Sequence, residues 1–124
     1  MQALPNLKEQ MMAMLSSGDR EAQLAAGFHS SSVSLEHMPG YFDIVRPIIA
    51  GIIARLEDPS VPAEPLRREA RVAIRLAWPA IHHTTLPKAQ MQAFYDAVVK
   101  RSEGDDDFRN LQHDVKLLAE LVNG

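Results

Sequence analysis

"PGYFDIVRPIIAGIIARLE", residues 39–57, is the stretch that decides the fold. Phe42, Val45, Ile49, Ile52 and Leu56 recur at spacings of three and four, and Ile48 and Ile53 widen the stripe. That period belongs to a helix with one apolar face. Pro47 sits inside it and removes the backbone bond to the Asp43 carbonyl, a cost of roughly 3 kcal/mol. The stripe nevertheless keeps its phase across Pro47, which predicts one kinked helix over residues 39–57 rather than two helices.

Residues 63–82 repeat the device. Leu66, Ala70, Ala73, Ala77 and Ile81 run in phase through Pro79, and Val72, Ile74, Leu76 and Trp78 make the apolar arc very wide. A helix apolar over so much of its circumference is surrounded by others. Its polar strip is Arg67, Arg68, Arg71 and Arg75.

Further out the same period continues. A first helix is expected from Leu4 to Ser16, with Leu4, Leu7, Met11, Met14 and Leu15 on one face; Gly18 suits its stop, and Asp19 caps a short second helix to about Phe28. The tract from His29 to Ser34 competes for backbone hydrogen bonds and breaks helix. A fifth helix is expected from about Thr85 to Arg101, with Met91, Phe94, Tyr95 and Val98 as its stripe and Lys100 and Arg101 complementing its dipole. Asp105, Asp106 and Asp107 open a sixth, whose stripe is Phe108, Leu111, Val115, Leu118 and Val122, with Gly124 closing the chain. No convincing alternating strand appears. The expected fold is all-α, a compact bundle of five to six helices with two proline kinks. It forms a single domain, in which residues 1–33 are an N-terminal helical arm and residues 34–124 the main bundle.

Composition narrows the function classes. The chain has 124 residues, 46% of them hydrophobic, and no cysteine, which removes disulfides, thiolate metal sites and a cysteine nucleophile. Its net charge of −3 supplies no global positive field for nucleic acid. No apolar run reaches the ~20 residues of a membrane span. The opening MQALPNLKEQ lacks the basic-then-apolar layout of a signal peptide, so a cytoplasmic location is expected.

The segment "RLAWPAIHHTTLPKAQ", residues 75–90, looks most like chemistry. Adjacent residues on a helix point about 100° apart, so His82 and His83 do not form the i, i+4 pair that a helical zinc site uses. The pair reads as a helix junction. Whether His29, His37 and His113 converge is open at this stage. The three aspartates lack the alternating ligands and sixth-position glycine of a calcium loop. There is no G-x-S-x-G, no S-x-x-K and no glycine-rich phosphate loop, and no cofactor is expected.

Arg67, Arg71 and Arg75 line up at spacing four, with Arg68 beside them. They form a solvated face, paired in part with Glu64 and Glu69, or a docking strip for an acidic protein partner. A helix-turn-helix reading makes residues 86–101 a recognition helix offering Lys88, Gln90 and Gln92, but its turn lacks the usual glycine and the acidic run follows it. Met11, Met12 and Met14 crowd the first helix, and such adaptable side chains line partner-binding surfaces as well as cores. The face of Leu7, Met11, Met14 and Leu15 is therefore the expected assembly surface. Together these features predict a small regulatory or adaptor protein acting by protein–protein contact: an inhibitor or antiactivator of a transcription factor or enzyme, or a chaperone. Homodimerisation is expected as well. The runner-up is direct DNA binding through the arginine face, and the third reading is a small enzyme or metal protein using the histidines.

Overall fold

A computed structural model describes residues 7–122 except 84, with the backbone alone at 31 and 32. The expected start at Leu4, the close at Gly124 and Thr84 of the junction lie outside the described residues. All regular structure among the described residues is helical.

The helix from Tyr41 to Glu57 (here α3) runs unbroken through Pro47. It starts at Tyr41 rather than Pro39 because Gly40 takes φ 79°, a left-handed conformation outside the helical region. Tyr41, Val45, Ile49, Ile52, Ile53 and Leu56 are buried. Tyr41 thus takes the core place expected of Phe42, which is only half-buried. Pro47 is exposed, on the side of the helix where water can reach the carbonyl it leaves unbonded.

The central helix (α4) covers Ala63–Ala77 and buries Leu66, Glu69, Ala70, Val72, Ala73, Ile74, Leu76 and Ala77. The expectation of one α-helix through to His82 is corrected here. The chain tightens into a 3-10 helix at Trp78–His82. Pro79 has no N–H for the Arg75 carbonyl four residues back, so the α-helical ladder ends and i→i+3 bonding continues the turn. The Tyr41 hydroxyl donates to the Leu76 carbonyl at 2.6 Å and ties this transition to α3.

On one side lie the first two helices, α1 (Leu7–Ser16) and α2 (Arg20–Phe28). Gly18 turns between them at φ 76°, and the Asp19 carboxylate caps α2 by accepting from the Glu21 N–H at 3.1 Å. The serine tract does end α2 at Phe28, but it continues as 3-10 turns at Ser30–Val33 and Leu35–His37, joined by Ser34 at φ 54°. α2 packs against α4, and α1 against α2 and α3. Met11, Met12, Leu15, Leu24 and Ala26 join the same core as the rest, so α1 and α2 contribute to the bundle's own interior.

On the other side is a helical hairpin, α5 (Lys88–Arg101) and α6 (Asp106–Leu121). α5 begins three residues later than expected, because the residue before a proline is kept out of the helical region and Pro87 occupies the N-cap. The Asp105 carboxylate accepts from the N–H groups of Asp107 and Phe108 at 3.0 and 3.3 Å, the cap its sequence indicates. α4 touches α2, α3 and α6, which accounts for its wide apolar arc.

Candidate functional site

Most of the polar side chains that stood out in the sequence are committed to holding this bundle together. Lys88 donates from Nζ to the carbonyls of Ala119, Glu120 and Val122 at 2.7, 3.1 and 3.3 Å, where a cation complements the C-terminus of α6. Gln90 donates to the Arg46 carbonyl at 3.1 Å, and Gln92 to Asp96 on its own helix at 3.0 Å. The side chains offered for reading bases are therefore engaged within the chain. Arg101 similarly closes the end of α3, bonding the carbonyls of Leu56 and Val61 at 2.8 and 3.0 Å.

The arginine strip is likewise divided. Arg67 reaches Asp105 at 2.7 Å and Asp107 at 3.3 Å. The Arg67 guanidinium holds the Asp105 carboxyl below its ordinary range. Arg68 faces Glu21 at 3.4 Å. Glu69 does not pair with the strip; it is buried and accepts from Arg55 at 2.8 and 3.1 Å, with Arg20 of α2 on its other side. This Arg20–Glu69–Arg55 link between α2, α4 and α3 was not legible in sequence, where Glu69 reads as one more charge beside the arginines. Arg71 is exposed and makes no hydrogen bond or ion pair among the described residues.

Arg75 is held differently. Its guanidinium carbon lies 4.1 Å from the centroid of the Phe28 ring, and its Nη1 donates to the Phe28 carbonyl. Phe28 is 37% exposed, as is Trp78, three residues beyond Arg75 on the α4 axis. The His29 ring meets Phe28 edge-on, 5.2 Å between centroids. Of the four exposed large hydrophobic residues among the described residues, Phe28 thus stacks on Arg75 and Trp78 lines the same groove as Arg75; the other two are Leu7 and Leu121.

Arg75 and Trp78 open onto a groove of about 410 Å³ between α4 and α6, lined by Arg71, Ile74, Arg75, Trp78, Leu111 and Asp114. Its floor is Ile74 and Leu111, its α4 rim is cationic, and Asp114 stands on the α6 rim. Leu121 lies seven residues beyond Asp114, on the same face of α6, and is exposed. The exposure of Trp78 corrects its place in the buried arc: it stands where the α-helix gives way to 3-10 geometry. The proline that follows it was the sequence signal.

The other expected sites fall as follows. On α1, Met11 and Leu15 are buried in the chain's own core, Met14 packs against it, and Leu7 is exposed. The stripe expected to serve assembly therefore covers α2 and α3, leaving Leu7 outward. His82 and His83 are exposed, and the His83 ring sits 5.6 Å from Phe42. His37 lies 3.6 Å from Glu36. Among the described residues no group of three histidine, aspartate or glutamate side chains is placed to hold a metal, so His29, His37 and His113 do not converge into one. No helix among the described residues is long and apolar enough to cross a membrane. Comparison with protein-family models, curated proteins and solved structures finds no match.

Proposed function

We propose that this chain is a small cytoplasmic regulatory or adaptor protein that acts by protein–protein contact, with the α4–α6 groove as its docking surface. An inhibitor or antiactivator of a transcription factor or enzyme, or a chaperone, fits this description. The observation that carries the reading is the Phe28–Arg75–Trp78 cluster at the groove's edge. Tryptophan and arginine are enriched among the residues that dominate the energetics of protein interfaces: tryptophan presents a large rigid area, and arginine a planar guanidinium with five donors that also stacks on aromatic faces. A chain that leaves Phe28 and Trp78 each 37% exposed, with Arg71 exposed beside an apolar floor, forgoes about a third of the ~1.5–3 kcal/mol that full burial of a large side chain contributes, or about 0.5–1 kcal/mol for each aromatic residue. The remaining cations of α4 are already neutralised, which narrows the interaction surface to this end of the helix.

The test compares the tagged wild-type protein with a Trp78→Ser, Arg71→Ser variant in nuclease-treated lysate of the native cell. A protein recovered in stoichiometric amount with the wild type and lost with the variant supports the reading. Recovery of nucleic acid alone before nuclease treatment, or identical recovery with both proteins, refutes it. Light scattering on the two purified proteins identifies a second copy of this chain as the occupant if the wild type is dimeric and the variant monomeric.

A further inference from the structure

We infer that the occupant of the α4–α6 groove is a single amphipathic α-helix of a partner protein whose polar edge is acidic along the α4 rim. The inference rests on reading the groove as a docking surface and adds the chemistry of what fills it. A trough between two packed helices is the shape that a third helix fits, seating residues at i, i+3 or i+4, and i+7 between the walls. The lining supplies that pattern in complement. Ile74 and Leu111 form the floor, Trp78 stands at one end, and Arg71 to Trp78 spans seven residues, about 10.5 Å or two helical turns.

Charge selects the edge. Arg71 and Arg75 are one turn apart on the same rim, so they match two carboxylates one turn apart on the incoming helix. Arg71 has no partner among the described residues. Arg75 is pre-ordered by the Phe28 ring and carbonyl, so less side-chain freedom is lost when a carboxylate binds it. Asp114 on the opposite rim has no ion pair among the described residues and favours a basic or neutral residue there. The two rims together set the rotation of the bound helix about its axis. A phosphate backbone fits less well: it brings negative charge to both rims, and the chain carries a net charge of −3.

The probe is a displayed library of helices about 18 residues long, randomised on all faces but free of tryptophan, selected against the whole chain. Enriched clones are expected to carry aspartate or glutamate one turn apart beside an apolar stripe. Synthetic peptides from those clones should blue-shift the emission of Trp78, the single tryptophan of the protein. Arg71→Ser should weaken their binding at least about tenfold, and Arg71→Glu should reverse the preference towards lysine-edged versions of the same peptides. Arg71 is exposed, so unchanged circular dichroism and melting midpoint in both variants verify the fold. Enrichment of basic helices, or an acidic peptide indifferent to Arg71→Glu, overturns the acidic occupant and leaves the groove as a docking surface. No enrichment, or binding that leaves Trp78 emission unchanged, overturns both. A short DNA duplex that shifts Trp78 emission more strongly than the acidic peptides overturns the inference in favour of phosphate recognition.

Discussion

Replacing Gly27 with alanine should destabilise the protein although it improves local helix propensity. Gly27 lies in the last turn of α2, directly against α4. In an open helix the substitution gains up to about 1 kcal/mol. Here a Cβ would lie 2.6 Å from Val72 Cγ1 and 3.2 and 3.3 Å from Leu76 Cγ and Cδ1. Carbon atoms rest at about 3.5–4.0 Å, so the helices have to separate by about 1 Å or Val72 has to turn. Val72 and Leu76 are fully buried, and a β-branched residue in a helix has one strongly preferred rotamer. Overpacking of this kind costs about 1–3 kcal/mol. The 2.6 Å approach, about 1 Å inside the resting separation, belongs in the upper part of that range, so subtracting the propensity gain leaves a net loss of about 1–2 kcal/mol, which for a chain of this length lowers the melting midpoint by about 4–8 °C. Urea denaturation and calorimetry measure it. Combining Gly27→Ala with Val72→Ala should cost less than the sum of the two by at least about 0.5 kcal/mol, because the smaller side chain vacates the space that the new methyl needs. A Gly27→Ala protein as stable as the wild type, or strictly additive losses, would refute the close approach of α2 to α4. That approach also brings the Phe28 ring and carbonyl to Arg75, so the variant should weaken peptide binding at the groove as well.

Four further outcomes are expected. Met11→Glu should cost about 3–5 kcal/mol, with loss of helicity by circular dichroism, because it removes a buried thioether and inserts a carboxylate into the core; retained stability with altered light scattering would return α1 to the role of an assembly face. Tyr41→Phe should cost about 1–2 kcal/mol in urea denaturation by deleting the bond to the Leu76 carbonyl. Burial first, and then the charge of Glu36, raise the Tyr41 pKa above its ordinary 10.0 against the opposing bond with Ser30, so wild-type stability should fall as pH rises past that value and the phenylalanine variant should lack this fall. The Asp105 pKa is depressed below 3.8, first by its bond to Arg67, so its contribution is present above that pH and is lost as pH falls through the folded value; Asp105→Asn should flatten this acid limb of the stability profile. His82→Gln with His83→Gln should change stability by at most about 1 kcal/mol and leave groove binding intact, as measured by peptide titration.

The helices were legible because each carries its own evidence. The stripe from Val45 to Leu56 keeps one phase, Gly18 and Asp19 mark a stop and a start, and Asp105 can cap α6 with no help from elsewhere in the chain. These are short-range interactions, and a linear sequence contains all of their participants. Boundaries were less legible where two local rules compete, as at Pro79, where an in-phase stripe and a missing N–H point to different geometries and the tighter helix results. Of the groove, the sequence alone displayed Arg71, Arg75 and a lone tryptophan on one helix. It could not indicate that Arg67 and Arg68 would pair with Asp105 and Glu21, residues 38 and 47 positions away, while Arg71 would have no partner among the described residues. Nor could it place Phe28 under Arg75, or Leu111 and Asp114 across from Trp78. Those pairings depend on how α2 and α6 pack against α4. Packing is chosen by the sum of many weak contacts over the whole core, and no single stretch of sequence contains both partners.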